Sequence, residues 1–134
     1  MAHDDKNSIR SPLGRARGLG SAKDGVHHWW MQRVTSIALI PLSLFFLWHL
    51  DNLAEPSYAA VIHFFKHPTV AIAGILFIAV SFYHAMLGVQ VIIEDYQHSE
   101  SYKLICILLN KMVFTFLGFA CIFAICYINF ALQG

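Results

Sequence analysis

Apolar residues run along this chain in three long stretches separated by short polar breaks. The first, Val34 to Leu50, is interrupted only by Thr35, Ser36, Pro41, Ser43 and His49. The second, Thr69 to Ile93, carries almost no polar side chain besides Ser81, His84 and Gln90. The third, Leu104 to Leu132, is broken by Asn110, Lys111 and Asn129. A membrane-crossing helix needs roughly 17–25 mostly apolar residues, so the pattern predicts an all-α membrane protein of three transmembrane helices, over about 30–51, 68–95 and 103–132. The third run exceeds what a straight crossing requires and predicts tilt or a protruding end. Pro68 stands where a first helical residue would, a position that suits proline. Pro41 predicts a kink in the first helix unless neighbours satisfy the freed carbonyl. A secretory signal peptide has a shorter apolar core and a small-residue cleavage site, neither of which fits the first run.

The polar segments set the organisation. Residues 1–25 are basic and rich in Gly and Ser, as in Ser11-Pro12-Leu13-Gly14-Arg15-Ala16-Arg17-Gly18, with no periodicity. They read as a mobile arm ahead of a transmembrane domain over 26–134. Asp51 to His67 reads as a polar connector and Glu94 to Lys103 as a short turn. Six of the nine Lys and Arg precede the first apolar run (Lys6, Arg10, Arg15, Arg17, Lys23 and Arg33), which places the N-terminus in the cytoplasm and the C-terminus in the periplasm. The arm lacks interleaved aromatics and leads straight into a membrane segment, so it reads as an orienting anchor with no nucleic-acid role. With 57% hydrophobic and 13% charged residues, the chain is too apolar for a small soluble domain. Three helices expose much surface to the lipid bilayer, and partner helices are expected. Cys106, Cys121 and Cys126 all fall in the third run, at no metal spacing, and read as buried free thiols.

His84 is the most informative position. Eleven residues separate it from Asp95, or roughly 16 Å of helix, against about 15 Å for half the hydrocarbon core. An ionisable residue near the midplane is a functional hypothesis by default. Neutral imidazole is an axial ligand for haem iron, and Gly88, four residues on, bares the same helix face for a flat macrocycle, with Ser81 keeping it small. The competing reading is a histidine hydrogen-bonded between helices, with Gly88 and Gly74 as packing notches. His49 lies at a different depth, next to Trp48 at the outer interface, so a second iron ligand would have to come from another chain. Glu94-Asp95-Tyr96 closes the second helix with acidic residues that oppose its dipole. Arg33 is expected at the same depth, paired with Asp95 or with another anion in that pocket. Tyr96 is either a hydroxyl donor to a lipid-soluble carbonyl compound such as a quinone or an aromatic-belt residue. In His27-His28-Trp29-Trp30-Met31-Gln32-Arg33, the indoles read as interface anchors, and Arg33 with one histidine could meet the carboxylates of a cofactor. His3, His63, His67 and His98 read as solvated loop residues, and Lys111 as a snorkelling lysine.

Two of these segments carry a family resemblance: Gly25-Val26-His27-His28-Trp29-Trp30-Met31-Gln32-Arg33-Val34-Thr35-Ser36-Ile37, and His84-Ala85-Met86-Leu87-Gly88-Val89-Gln90-Val91-Ile92-Ile93-Glu94-Asp95-Tyr96. With three spans in the expected order, the chain after Gly25 resembles the smaller hydrophobic, cytochrome b-type anchor subunits of bacterial succinate dehydrogenase, respiratory complex II. A histidine, a glycine four on and a closing Asp-Tyr pair form the specific part; the His28-Trp29-Trp30 stretch departs from the family pattern. The resemblance implies that His84 is an axial ligand of haem b, its iron shared with the larger anchor subunit. It implies that Tyr96 hydrogen-bonds ubiquinone with Asp95 in support, and that Arg33 and His27 lie near the haem propionates. It further implies a flavoprotein subunit and an iron–sulfur subunit as partners, a place in the tricarboxylic acid cycle and respiratory chain, and the bacterial inner membrane as location. An anchor of a fumarate reductase and a non-redox membrane scaffold are the alternatives.

Overall fold

The computed structural model describes residues 20–50 and 57–131; those before, between and after, including His3 and most of the arm, lie outside the described residues. Four helices follow in order: α1 (Gly20–Leu50), α2 (Tyr58–Lys66), α3 (Pro68–Tyr96) and α4 (Glu100–Ala131). The chain divides into two units, Met1–Trp30 and Met31–Gly134. The first contains the opening turns of α1, with Trp29 and Trp30 in contact at 6.2 Å between ring centroids. The second contains the rest of α1 and all of α2, α3 and α4.

Among the described residues, three helices are long and apolar enough to cross a membrane, over Gly25–His49, Pro68–Tyr96 and Glu100–Ala131. The expected spans are therefore present, with two differences. Helix α1 starts at Gly20, inside the segment read as an arm, because its first turns are polar and carry no apolar periodicity. The connector read as polar loop contains α2. Ser57 caps α2, its hydroxyl accepting from the Ala60 amide at 3.2 Å, and Pro68 opens α3 as expected. Helices α3 and α4, of 29 and 32 residues, extend for roughly 44 and 48 Å, well beyond a ~30 Å hydrocarbon core.

The chief packing is α3 against α4, antiparallel across the short Gln97–Ser99 link. Its contacts step along both helices in opposite directions. Asn110 Nδ2 donates to the Met86 carbonyl at 2.9 Å. Gly118 faces Phe82. Gly74 lies under both Phe65 and Ile125. At the far end, Asn129 Nδ2 donates to the carbonyls of Phe65 and Lys66, at 3.0 and 3.3 Å. Those are among the last carbonyls of α2, which have no partner within their own helix. The side-chain amide nitrogens of Asn110 and Asn129 thus act as interhelical glue. The cysteines are half-buried and free.

Gly74 is a true notch. A Cβ there would stand 2.8 Å from Phe65 Cε1 and 3.1 Å from Ile125 Cδ1. Overpacking of this kind costs about 1–3 kcal/mol. Gly74→Ala is therefore expected to lower the thermal midpoint of the detergent-solubilised protein by several degrees. An unchanged midpoint would show that this notch does not hold α2 to the bundle.

Few side chains are buried among the described residues. The outer faces of the spans carry Leu108, Met112, Phe116, Phe123 and Phe130, all exposed. In water this surface would be strongly unfavourable; it suits lipid and partner helices.

Candidate functional site

The site is built where α1 meets α3. On α1, Thr35 is buried and its hydroxyl lies 2.9 Å from Nδ1 of His84. The same hydroxyl reaches the carbonyls of Met31 at 2.8 Å and Gln32 at 3.1 Å. Ser36, beside it, donates to the Gln32 carbonyl at 2.7 Å. His84 itself is half-buried, sixteen residues after Pro68 and twelve before Tyr96, close to the middle of α3.

Gly88, one turn on, has a different environment from Gly74. A Cβ at Gly88 would meet only Gln32 Nε2, at an ordinary 3.6 Å. Packing within the chain therefore does not require glycine there, whereas it does at Gly74. The reading of both glycines as notches holds for Gly74 alone. The Oε1 of Gln32 is buried without a hydrogen-bond partner, next to this bare face.

The Thr35–His84 and Gln32–Gly88 contacts also fix the register of α1 against α3, and they correct one expectation. Arg33 falls level with the turn holding Met86 and Leu87, not with Asp95. It lies deeper than Asp95 by eight or nine residues, roughly 12 Å along the bundle. Pairing with Asp95 does not follow from depth. Arg33 instead stands exposed, close to the level of His84, inside the span that begins at Gly25. Continuous apolarity begins only at Val34, nine residues into that span, so it does not mark where the span starts.

His49 is separated from this site even more than expected. Fourteen residues, or roughly 21 Å of helix, lie between Thr35 and His49 on α1. Nδ1 of His49 is 2.8 Å from the Phe45 carbonyl, and its ring lies 4.2 Å from that of Phe45 and 6.2 Å from that of Phe64. His63 and His67, read as loop residues, belong to α2 and its C-cap, and line a cavity of about 550 Å³ with His49 and Phe64. His98 is exposed in the α3–α4 link and Lys111 is exposed on α4.

At the other end of α3, Asp95 and Tyr96 close the helix in the open. Tyr96 is 81% exposed, and Glu94 accepts from Gln90 Nε2 at 2.7 Å. In the first unit, His27 is exposed, and His28 is half-buried with its Nε2 lacking a hydrogen-bond partner. Among the described residues no three His, Cys, Asp or Glu side chains converge as a metal cage. Sequence reasoning missed Thr35 and Gln32. The signal available was a hydroxyl and an amide flanking an arginine at the head of an apolar helix, but their partners lie about fifty residues away.

The family of succinate dehydrogenase/fumarate reductase transmembrane subunits matches this chain over residues 7–120. The chain is 40% identical over 88 residues to the succinate dehydrogenase hydrophobic membrane anchor subunit of Rickettsia bellii, across 66% of this chain and 70% of the relative. It is 31% identical over 86 residues to the protein of the same description from Paracoccus denitrificans, across 64% of this chain and 67% of the relative. A succinate dehydrogenase membrane anchor subunit of Reclinomonas americana is 29% identical over 96 residues, 68% of this chain and 78% of the relative. No solved structure matches significantly.

Proposed function

The chain belongs to the succinate dehydrogenase/fumarate reductase transmembrane-subunit family, and from that premise we propose that it anchors succinate:ubiquinone oxidoreductase in the bacterial inner membrane and helps bind haem b and ubiquinone there. Succinate is oxidised at a flavin in a separate soluble subunit, and electrons pass through iron–sulfur clusters in a second. This chain holds no complete catalytic centre. Its basic arm lies in the cytoplasm, so α3 runs inward and Tyr96 ends on the side of the soluble subunits.

The observation that carries the haem part is a half-buried imidazole midway along α3, its Nδ1 occupied by Thr35, one turn from a glycine that packing within the chain does not require. His84 would hold a haem here as this chain's one iron ligand, and the macrocycle would lie over the bare face at Gly88. His84 is the only histidine at that level among the described residues of the second unit; the larger anchor subunit supplies the other ligand. Haem bound there provides a one-electron carrier inside the membrane. Arg33, a cation within a span near the level of His84, is suited to the propionates. His27 is a further candidate for them.

Tyr96 is the quinone contact. Its phenol donates a hydrogen bond to a quinone carbonyl, and the bond strengthens as negative charge develops on the oxygen during reduction. Asp95 shapes the local field. Tyr96 is exposed, which leaves room for partner subunits to form the rest of that pocket. The family also includes fumarate reductase anchors, which makes them the second reading; the relatives' descriptions favour succinate oxidation.

The test is the company the chain keeps. Mild-detergent purification through a tag on this chain is expected to yield a flavoprotein, an iron–sulfur protein and a second hydrophobic subunit, with succinate:quinone reductase activity. Recovery of the chain with no flavin-containing partner would refute the assignment.

A further inference from the structure

We infer that Thr35 is a positioning residue that fixes which ring nitrogen of His84 carries the proton, an inference that rests on the reading of His84 as a haem ligand. The Thr35 hydroxyl has one hydrogen and three neighbours: the Met31 carbonyl at 2.8 Å, the Gln32 carbonyl at 3.1 Å and His84 Nδ1 at 2.9 Å. Carbonyl oxygens only accept. The Met31 carbonyl is the nearer of the two, and Ser36 already donates to the Gln32 carbonyl at 2.7 Å, which assigns the Thr35 hydrogen to Met31. What Thr35 then presents to His84 is an oxygen lone pair, and Nδ1 must be the donor.

The opposite assignment would leave hydroxyl and carbonyl oxygens 2.8 and 3.1 Å apart with no hydrogen between them. Thr35 is only 7% exposed, so water does not relieve that repulsion. A neutral imidazole protonated at Nδ1 keeps its lone pair on Nε2. Among the described residues Nε2 has no hydrogen-bond partner, and it is the atom left to take a metal ion. The side chain is branched at Cβ, which restricts its rotamers on a helix and holds the accepting oxygen in place.

A hydrogen bond donated by a ligating imidazole makes that imidazole a stronger base and favours the oxidised iron. Thr35 would thus tune the haem potential without touching the haem. Two variants separate hydroxyl from shape. Thr35→Val keeps the branched form and removes the acceptor; Thr35→Ser keeps the acceptor. In the purified complex, Thr35→Val is expected to shift the haem midpoint potential in the positive direction, or to lower haem per flavin in an assembled complex. Thr35→Ser is expected to match the parent protein in both. Coincident potentials and haem content for the Val variant and the parent, or an equal change in the Ser variant, would overturn the role. Including His84→Leu in the same series keeps the two claims apart. A parental haem spectrum in that variant defeats the ligand reading itself, whereas a lost spectrum beside an unmoved Val potential defeats the role of Thr35 alone.

Discussion

Replacing His84 with leucine is expected to remove the b-type haem signal from the purified complex, or to displace its reduced absorbance band, while flavin content stays at the parental level. A b-type haem has no covalent tether, so the His84 ligand and apolar contact would be what holds it. Loss even of a residue that orients a metal ligand costs about 10–100-fold in affinity; removing the ligand itself should cost more. The structure gives reason to expect that the fold survives. Leucine is close to histidine in size, and His84 is only half-buried. The hydroxyl it leaves behind is not orphaned, because Thr35 retains the Met31 carbonyl at 2.8 Å. Haem loss with preserved flavin would therefore report on ligation and not on misassembly. The reduced-minus-oxidised spectrum, scaled to flavin, decides it: an unchanged spectrum would make His84 a packing histidine.

The three spans were legible in the sequence because hydrocarbon imposes a simple rule, a long apolar run with its backbone satisfied internally. Pro68 marked the start of α3 for an equally local reason. Helix α2 was hidden by its surroundings. Its apolar residues, Ala59 to Ile62 with Phe64 and Phe65, sit between Asn52, Glu55, Pro56 and Lys66, and nine residues are too few for a convincing period. It gains its stability from tertiary contacts, with Ser57 at one end and the Asn129 amide at the other. The start of α1 was misplaced because apolarity and helicity are different properties: His28, Gln32 and Arg33 are helical without being apolar.

Depth across the bundle was the least legible quantity. Counting residues from Asp95 puts His84 midway along α3, since both lie on one rigid helix. Counting from Val34 placed Arg33 wrongly, since the offset between α1 and α3 is set by Thr35 against His84 and Gln32 against Gly88. No local pattern encodes that pairing. The same contacts distinguish two glycines that look alike in sequence, one closed by Phe65 and Ile125, the other facing only an amide.

Tyr96→Phe is expected to lower succinate:ubiquinone reductase activity by about 10- to 100-fold, the loss of a hydrogen bond to a charged group being worth roughly 1.5–3 kcal/mol. Reduction of an artificial dye by the soluble subunits should be unaffected. The substitution removes one oxygen from a residue 81% exposed at the end of α3. Among the described residues no hydrogen bond within the chain depends on that hydroxyl, so the fold loses nothing with it. Removal of an aromatic-belt tyrosine's hydroxyl would leave both activities near the parental level. A donor to the quinone, in contrast, is felt only where negative charge builds on the carbonyl oxygen, so the turnover rate falls more than the quinone affinity. Equal decline of the dye and quinone activities would place the defect in assembly or in the soluble subunits. Parental rates with both acceptors would leave Tyr96 as an interfacial aromatic, and the quinone pocket would then have to be assigned to side chains of the partner subunits.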